Sequence, residues 1–266
     1  MQEKFRFIGF CGADDSVDPD LLQIISLHYP WIEWGVLFRS DLEGTARYAS
    51  PDWVHRFSQV AKSSAANGHP MNLAAHLCFD RCQQILDGDS SFVRELFQLG
   101  FRRVQVNITK ANGTFVEEKD LPGYVVNIRK CMRENAEIEW LFQLNEETLR
   151  IWELLRGVDL PVNVSVLHDA SCGKGVVIET FPSPAIYPSV PSGYAGGIGP
   201  NNIASILRTL DSIIVDASSL SKPVWIDMES SLRTIIVENQ ERKDIFDINK
   251  CMKCVKSAIE LGFQKL

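Results

Sequence analysis

The stretch Tyr194-Ala195-Gly196-Gly197-Ile198-Gly199-Pro200-Asn201-Asn202 decides the fold that this sequence predicts. It closes a short strand predicted over 192–198, and a helix is predicted to follow it over about 201–210. A glycine pair at the end of a strand lets the backbone approach another group closely, because glycine has no Cβ and readily adopts positive φ. A strand, a glycine turn and a helix in this order are typical of proteins with parallel sheets.

Strand-like and helix-like segments alternate in the same way along the whole chain. The eight predicted strands are 5–11, 31–38, 71–78, 103–109, 138–144, 161–168, 192–198 and 224–228. Strands alternating with helices predict a parallel sheet with right-handed crossovers. Eight such units favour a single (β/α)8 TIM barrel that occupies residues 1–266 as one α/β domain. The alternative is a doubly wound open sheet, but no G-x-G-x-x-G follows the first strand.

Capping residues predict where several helices begin and end. Ser50-Pro51 begins a helix that Asn67-Gly68 ends, and Leu99-Gly100 ends one helix that follows the third strand. The fifth strand is followed by a helix predicted from Glu146. The segment Phe181 to Pro191 contains four prolines where a sixth helix is expected, so it is interpreted as an extended loop.

Composition excludes several classes of partner. The net charge of −7 argues against nucleic acid or an anionic membrane as the main partner. No apolar run reaches the roughly 18–20 residues that cross a bilayer. The seven cysteines form an odd set in a chain without a secretory signal, which favours reduced thiols. We therefore expect a cytoplasmic monomer or homodimer whose partner is a small molecule.

The candidate site lies where the strands of such a barrel end. Backbone N–H groups at Gly196 and Gly197 can donate to phosphate oxygens. Ser230 and Ser231 follow the eighth strand, close to Asp227, and would complete a phosphate site. The alternatives are a plain tight turn at the glycines and a helix N-cap at the serines.

Cys11 and Asp169 end the first and sixth strands, on opposite sides of the barrel mouth. A thiol and a carboxyl so placed could serve as general base and general acid. The alternatives are that the cysteine is a small buried hydrophobe and that the aspartate caps a loop.

No metal or cofactor is expected from the sequence. His76-x-Cys78-x-x-x-Cys82 has the residue types of a zinc site, but it runs from a strand end into a helix. Cys251-x-x-Cys254 stands alone in an amphipathic helix, where core packing is the simpler interpretation.

Together these stretches resemble the phosphoribosylanthranilate isomerase family, which belongs to the ribulose-phosphate-binding barrels. The similar segments are Phe10-Cys11-Gly12, Ala46-Arg47-Tyr48-Ala49-Ser50, Leu167-His168-Asp169, Ala195 to Asn202 and Ile226 to Ser231. The seventh-strand loop is the most specific of them, whereas the middle third of the chain matches poorly. The chain also departs from the family at Leu232, where the family has glycine.

The resemblance implies an isomerase of tryptophan biosynthesis that performs an Amadori rearrangement of a phosphoribosyl amine. In that reaction Asp169 would be the general acid, Cys11 as thiolate the general base, and Arg47 the contact to the anthranilate carboxylate. The implied substrate-binding residues are Arg47, Gly196, Gly197, Asp227, Ser230 and Ser231. The alternatives are another sugar-phosphate isomerase or lyase on the same barrel, and a non-catalytic barrel that binds a phosphorylated ligand.

Overall fold

Eight parallel strands close into a barrel in chain order. The computed structural model describes residues 2–157, 159–176, 180–216, 222–238 and 240–265. The strands are β1 (Phe5–Cys11), β2 (Ile32–Phe38), β3 (Asn72–Leu77), β4 (Arg103–Val106), β5 (Glu139–Leu144), β6 (Val164–His168), β7 (Ser192–Tyr194) and β8 (Val224–Met228). Because β8 pairs with β1, the sheet has no open edge. The predicted (β/α)8 TIM barrel is confirmed, and the open doubly wound sheet is wrong.

Helices occupy most of the connections between these strands. They are α1 (Pro19–His28), α2 (Pro51–Ala66), α3 (Phe79–Leu86), α4 (Ser91–Leu99), α5 (Leu121–Glu134), α6 (Leu149–Arg156), α7 (Ile203–Asp216) and α8 (Ile248–Glu260). Ser50 caps α2 by accepting the N–H of Trp53, and Gly100 ends α4 in the left-handed conformation, both as predicted. No described helix has the length and apolar character needed to cross a membrane.

Two helix predictions are wrong. The single helix predicted after β3 is a pair, α3 and α4, because Gly88 adopts a φ of 81° and turns the chain between them. The helix predicted from Glu146 begins at Leu149, because the Asn145 side chain holds the preceding residues in a turn by accepting the N–H groups of Glu147 and Thr148.

Strands β4, β6 and β7 are shorter than predicted. At the end of β4 the chain enters a turn in which the Thr109 N–H donates to the Asn107 carbonyl at 2.9 Å. At the end of β7 it turns through Gly196 and Gly197, which have φ values of 106° and 60°. The segment that contains Pro184 forms a loop with one short 3-10 turn, as predicted.

An antiparallel hairpin between β8 and α8 was not predicted from the sequence. Its strands are β9 (Arg233–Glu238) and β10 (Glu241–Phe246). The Arg233 guanidinium anchors the hairpin to the barrel mouth, since it pairs with Asp14 at 2.8 Å and Asp244 at 2.9 Å and donates to the Gly12 carbonyl at 2.8 Å. The hairpin is therefore held against the loop that follows β1.

The buried indole of Trp225 leaves no space for a side chain at Gly193. Trp225 is buried against Phe7 and Leu167, and Gly193 is its partner in the neighbouring strand β7. A Cβ at Gly193 would lie 2.1 Å from Trp225 Cε2, well inside van der Waals contact. Glycine is required at this position because the ring of Trp225 occupies the space of any side chain.

We expect Gly193→Ala to destabilise the protein by about 1–3 kcal/mol or more, because a buried indole has little room to move. Urea denaturation followed by tryptophan fluorescence measures the loss. Gly123→Ala in α5 is the matched control: nothing lies within 4 Å of its Cβ position, and alanine in a helix is favoured over glycine by up to about 1 kcal/mol. Equal stability of the two variants would contradict the expectation.

Candidate active site

A polar cavity of about 70 Å³ opens at the carboxyl ends of the strands. Of the eight site residues predicted from the sequence, the seven that line it are Cys11, Asp169, Gly196, Gly197, Asp227, Ser230 and Ser231. The eighth, Arg47, is not among the described residues that form its wall. The barrel therefore brings the ends of β1, β6, β7 and β8 to one space, and this is the candidate site.

Cys11 ends β1 and is 1% exposed. Burial raises the pKa of its thiol well above the usual value, and the nearby carboxyl groups of Asp227 and Glu229 raise it further. Only the Gly12 backbone N–H acts in the opposite direction. The surroundings therefore favour the thiol over the thiolate, and the role of Cys11 as a general base stays a prediction.

Asp169 follows β6 and is held by four hydrogen bonds. Gln143 Nε2 and the Gly173 N–H donate to Oδ2 at 2.6 and 2.9 Å. The hydroxyl and the N–H of Ser171 donate to Oδ1 at 2.5 and 3.1 Å. These donors fix the carboxyl group toward the cavity. To carry a proton to a ligand, it would have to release one of them.

Asp227 lies on β8 opposite Gly9 of β1. Burial raises the pKa of Asp227 well above its usual value, with Glu33 and Glu229 as further causes. The pKa of Glu229 is raised as well, mainly by burial, although Arg47 and Arg233 oppose the shift. Asp227 is thus a carboxyl group that its environment favours in the protonated form, next to the thiol of Cys11.

Arg47 lies behind Glu229, and its guanidinium already has protein partners. Its Nη1 is 3.1 Å from Glu229 Oε1, and its Nε is 3.3 Å from Asp244 Oδ2. Its backbone adopts a φ of 75°, and its N–H donates to Asp14 Oδ2 at 2.8 Å. A substrate carboxylate would have to displace these carboxylates, so the predicted contact between Arg47 and a ligand stays a prediction.

The ends of β7 and β8 present backbone donors to the cavity. Among the described residues, no acceptor is recorded for the N–H groups of Gly196, Gly197, Ser230 and Ser231. The Ser231 hydroxyl, in contrast, donates to the Ile198 carbonyl at 2.5 Å and so joins the two loops. The donors available here are therefore amide groups and the exposed Ser230 hydroxyl, rather than both hydroxyls.

Leu232 does not narrow this part of the cavity. Its side chain is fully buried in the hydrophobic core, and the cavity wall of described residues does not include it. Leucine at this position therefore packs in the core and does not line the cavity.

Several amide side chains complete the lining, and none of them belongs to the eight predicted site residues. Gln105 and Gln143 donate to Asn107 and Asp169, and their own Oε1 atoms have no partner among the described residues. These oxygens can accept hydrogen bonds from a ligand. The signal for Gln143 in the sequence is a polar residue next to the end of an apolar strand, the pattern that also marks Gln105.

The three residues considered from the sequence as zinc ligands, His76, Cys78 and Cys82, do not form one group of ligand atoms in the structure. His76 lines the cavity beside Cys11 and Asp227, whereas Cys82 lies on α3. Burial lowers the pKa of His76 to about 3, with Arg103 as a second cause, so its ring is neutral. Cys251 and Cys254 are both buried in the core, as predicted for packing residues.

Comparison with known proteins identifies the fold alone. No protein-family model and no curated protein matches this sequence. Among solved structures, the chain resembles a GH138 enzyme described as targeting pectin rhamnogalacturonan II, with a TM-score of 0.51 and 9% identity over 97% of this chain and 40% of that one. Active domain 2 of a thermostable chitinase from Pyrococcus furiosus gives a TM-score of 0.49 and 10% identity over 98% and 97% of the two chains. A xylose isomerase domain protein from Planctomyces limnophilus gives 0.40 and 10%, over 98% and 86%.

Proposed function

We propose that this barrel is an isomerase of the phosphoribosylanthranilate isomerase type, which converts an N-glycosylamine of ribose 5-phosphate to the amino-ketose. The single observation that carries the proposal is the convergence of Cys11, Asp169 and the amide groups of the β7 and β8 loops on one cavity. This set provides a proton acceptor, a proton donor and a binding site for an anion.

The phosphate is assigned to the N–H groups of Gly196, Gly197, Ser230 and Ser231. Amide groups that have no acceptor in the chain bind phosphate oxygens without a net positive charge. This matters in a cavity whose charged side chains are carboxyls, because amide groups can hold the anion where the described wall offers no cationic side chain. The free Oε1 atoms of Gln105 and Gln143 are suited to accept the ribose hydroxyls.

The proposed reaction has two proton transfers. Asp169 protonates the ring oxygen, the C1–O bond breaks, and the nitrogen lone pair forms a C1=N iminium. Cys11 as thiolate removes the C2 proton. The C2–H electrons form the C1=C2 bond while the C1=N π electrons return to nitrogen, which gives the enaminol. The enaminol then loses the proton of its C2 hydroxyl and gains a proton at C1, which gives the C2 ketone. C1 is reduced and C2 oxidised within one molecule, so no external oxidant or reductant is needed.

The proposal includes a reducing compartment. All seven cysteines are buried and free, and a thiol is required at Cys11. We place the reaction in the cytoplasm on this basis, as part of tryptophan biosynthesis.

Turnover of N-(5′-phosphoribosyl)anthranilate tests the proposal. We expect the purified chain to consume the substrate, which is measured as the loss of the substrate's fluorescence. We also expect inorganic phosphate to inhibit this turnover competitively. Cys11→Ala should abolish turnover and leave the dissociation constant of inorganic phosphate, measured in a binding assay, unchanged. Phosphate binding without turnover would overturn the reaction and favour another sugar phosphate or a non-catalytic barrel, and the absence of both would overturn the phosphate site too.

A further inference from the structure

Three metal-ligating side chains from three different strands converge inside the barrel mouth. Cys11 Sγ on β1, a ring nitrogen of His76 on β3 and a carboxylate oxygen of Asp227 on β8 all lie within 4.8 Å of one another. Throughout the described ranges, no other three side chains of these types bring their ligand atoms so close. The set combines one sulfur, one nitrogen and one oxygen donor.

Two glycines clear the space around these donors. A Cβ at Gly35 would lie 3.0 Å from His76 Nε2 and 2.9 Å from Cys11 Cα. A Cβ at Gly9 would lie 2.6 Å from Asp227 Oδ1. A side chain at either position would clash with the metal-ligating residues. Glycine at both positions therefore leaves space for Cys11, His76 and Asp227.

The protein supplies little to satisfy these donors. Within the described part of the chain, no hydrogen bond is recorded for the His76 ring and no ion pair for the Asp227 carboxylate. Two carboxyl groups act on the Cys11 thiol, namely Asp227, itself a member of the set, and Glu229. A cation at the centre of the set would therefore satisfy the imidazole lone pair and offset the negative charge at once.

We propose that Cys11, His76 and Asp227 bind a divalent metal ion of the zinc class. Mixed sulfur, nitrogen and oxygen donors favour such ions over the hard Mg²⁺ and Ca²⁺. Zinc bond lengths of roughly 2.0–2.3 Å place ligand atoms about 3.3–3.7 Å apart, so a contraction of about 1 Å closes the site. Three protein ligands leave a fourth position open, and because all three residues line the cavity, that position faces a ligand bound there.

The metal site goes beyond the proposed isomerase reaction and does not depend on it. The two share Cys11, and a sulfur bound to a metal is no longer a free base. Metal binding is therefore measured without substrate, so the failure of either proposal is seen separately.

Titration of the metal-free chain with Co²⁺ tests the site directly. We expect one equivalent to bind, with a thiolate-to-cobalt charge-transfer band and the visible bands of a four-coordinate ion, and Zn²⁺ to displace it. Cys11→Ser should remove the charge-transfer band. His76→Gln and Asp227→Asn should weaken Zn²⁺ binding by more than roughly 100-fold, since even the loss of a residue that only supports a ligand costs up to that factor.

A control separates this site from the Cys-x-x-Cys of α8. Cys254 does not line the cavity, so the Cys254→Ala variant should still bind one equivalent of Co²⁺ with the same spectrum. The wild-type titration needs no variant to fold, so it is decisive alone: no saturable binding of Co²⁺ or Zn²⁺ would overturn the proposal. Binding that survives both Cys11→Ser and His76→Gln, or that is lost in Cys254→Ala, would overturn it as well.

Discussion

Replacing Arg103 with Met should lower the free energy of unfolding by about 3–5 kcal/mol at neutral pH. Arg103 is 3% exposed on β4, hydrogen-bonded to the buried Glu33 and 3.2 Å from Glu139 Oε2. Its guanidinium also packs 4.4 Å from the Trp225 ring. Methionine replaces the apolar stem of the arginine but leaves two carboxylates without their buried cation, which is the costly way to break a buried ion pair.

The deficit of this variant should shrink as the pH falls. Burial raises the pKa of Glu33, whereas Arg103 and Arg6 hold the pKa of Glu139 below its usual value against burial. Arg103 lowers both pKa values, so without it both carboxyls bind protons at higher pH, and the pKa of Glu33 moves further above its unfolded value of about 4.3. The native variant then binds more protons than its unfolded chain, and its stability decreases as pH rises through that window.

Urea midpoints at pH 8 and pH 5 measure both effects. Arg6→Met is the matched control, because Arg6 Nη1 is 2.6 Å from Glu139 Oε2 but its side chain is 44% exposed. A pair exposed to solvent contributes less than about 1 kcal/mol. The explanation by buried charge would be wrong if the two variants lost equal stability, or if the Arg103→Met deficit were the same at both pH values.

The fold was predictable because short apolar segments, glycines and helix-capping residues indicate the alternation of strands and helices in each local stretch of sequence. The bounds of β1 and β8 match the prediction residue for residue, since each is an apolar run that ends at polar residues or a glycine. The hairpin of β9 and β10 was not predictable in this way. Its apolar residues Ile235 and Val237 are 52% and 67% exposed, so no buried face distinguishes the strand from a loop.

The positions of the site residues were predictable, but their charge environment was not. Barrel topology alone brings the strand ends together, which is why seven predicted residues share one cavity. One partner of Arg47 is Asp244, which is 197 residues distant in the chain. The hairpin, which was not predicted, brings the two residues together. The carboxyl groups around Cys11 belong to Asp227 at the end of β8 and to Glu229 directly after it. The residues next to Cys11 in the sequence give no indication of them.

Under the proposed function, Asp169→Ala should lower kcat/KM for the phosphoribosyl amine by about 10²–10⁴-fold, the usual contribution of a positioned general acid. The inhibition constant of inorganic phosphate should stay the same, because Asp169 follows β6 while the proposed phosphate donors follow β7 and β8. Ser171→Ala is the control. It removes one donor to Oδ1 and keeps the acid, so a smaller loss is expected.

A second carboxyl group makes this comparison decisive. Asp227 shares the cavity, and its raised pKa keeps a proton available, whereas Asp169 must first release one of four donors. If Asp227 is the acid, Asp227→Asn removes turnover while Asp169→Ala retains kcat/KM within about tenfold, and the role assigned to Asp169 is wrong. If Asp169 is the acid, the bound substrate must take over one of its hydrogen bonds, and we expect the loss on Asp169→Ala to fall on kcat more than on KM, because that exchange occurs as the proton moves.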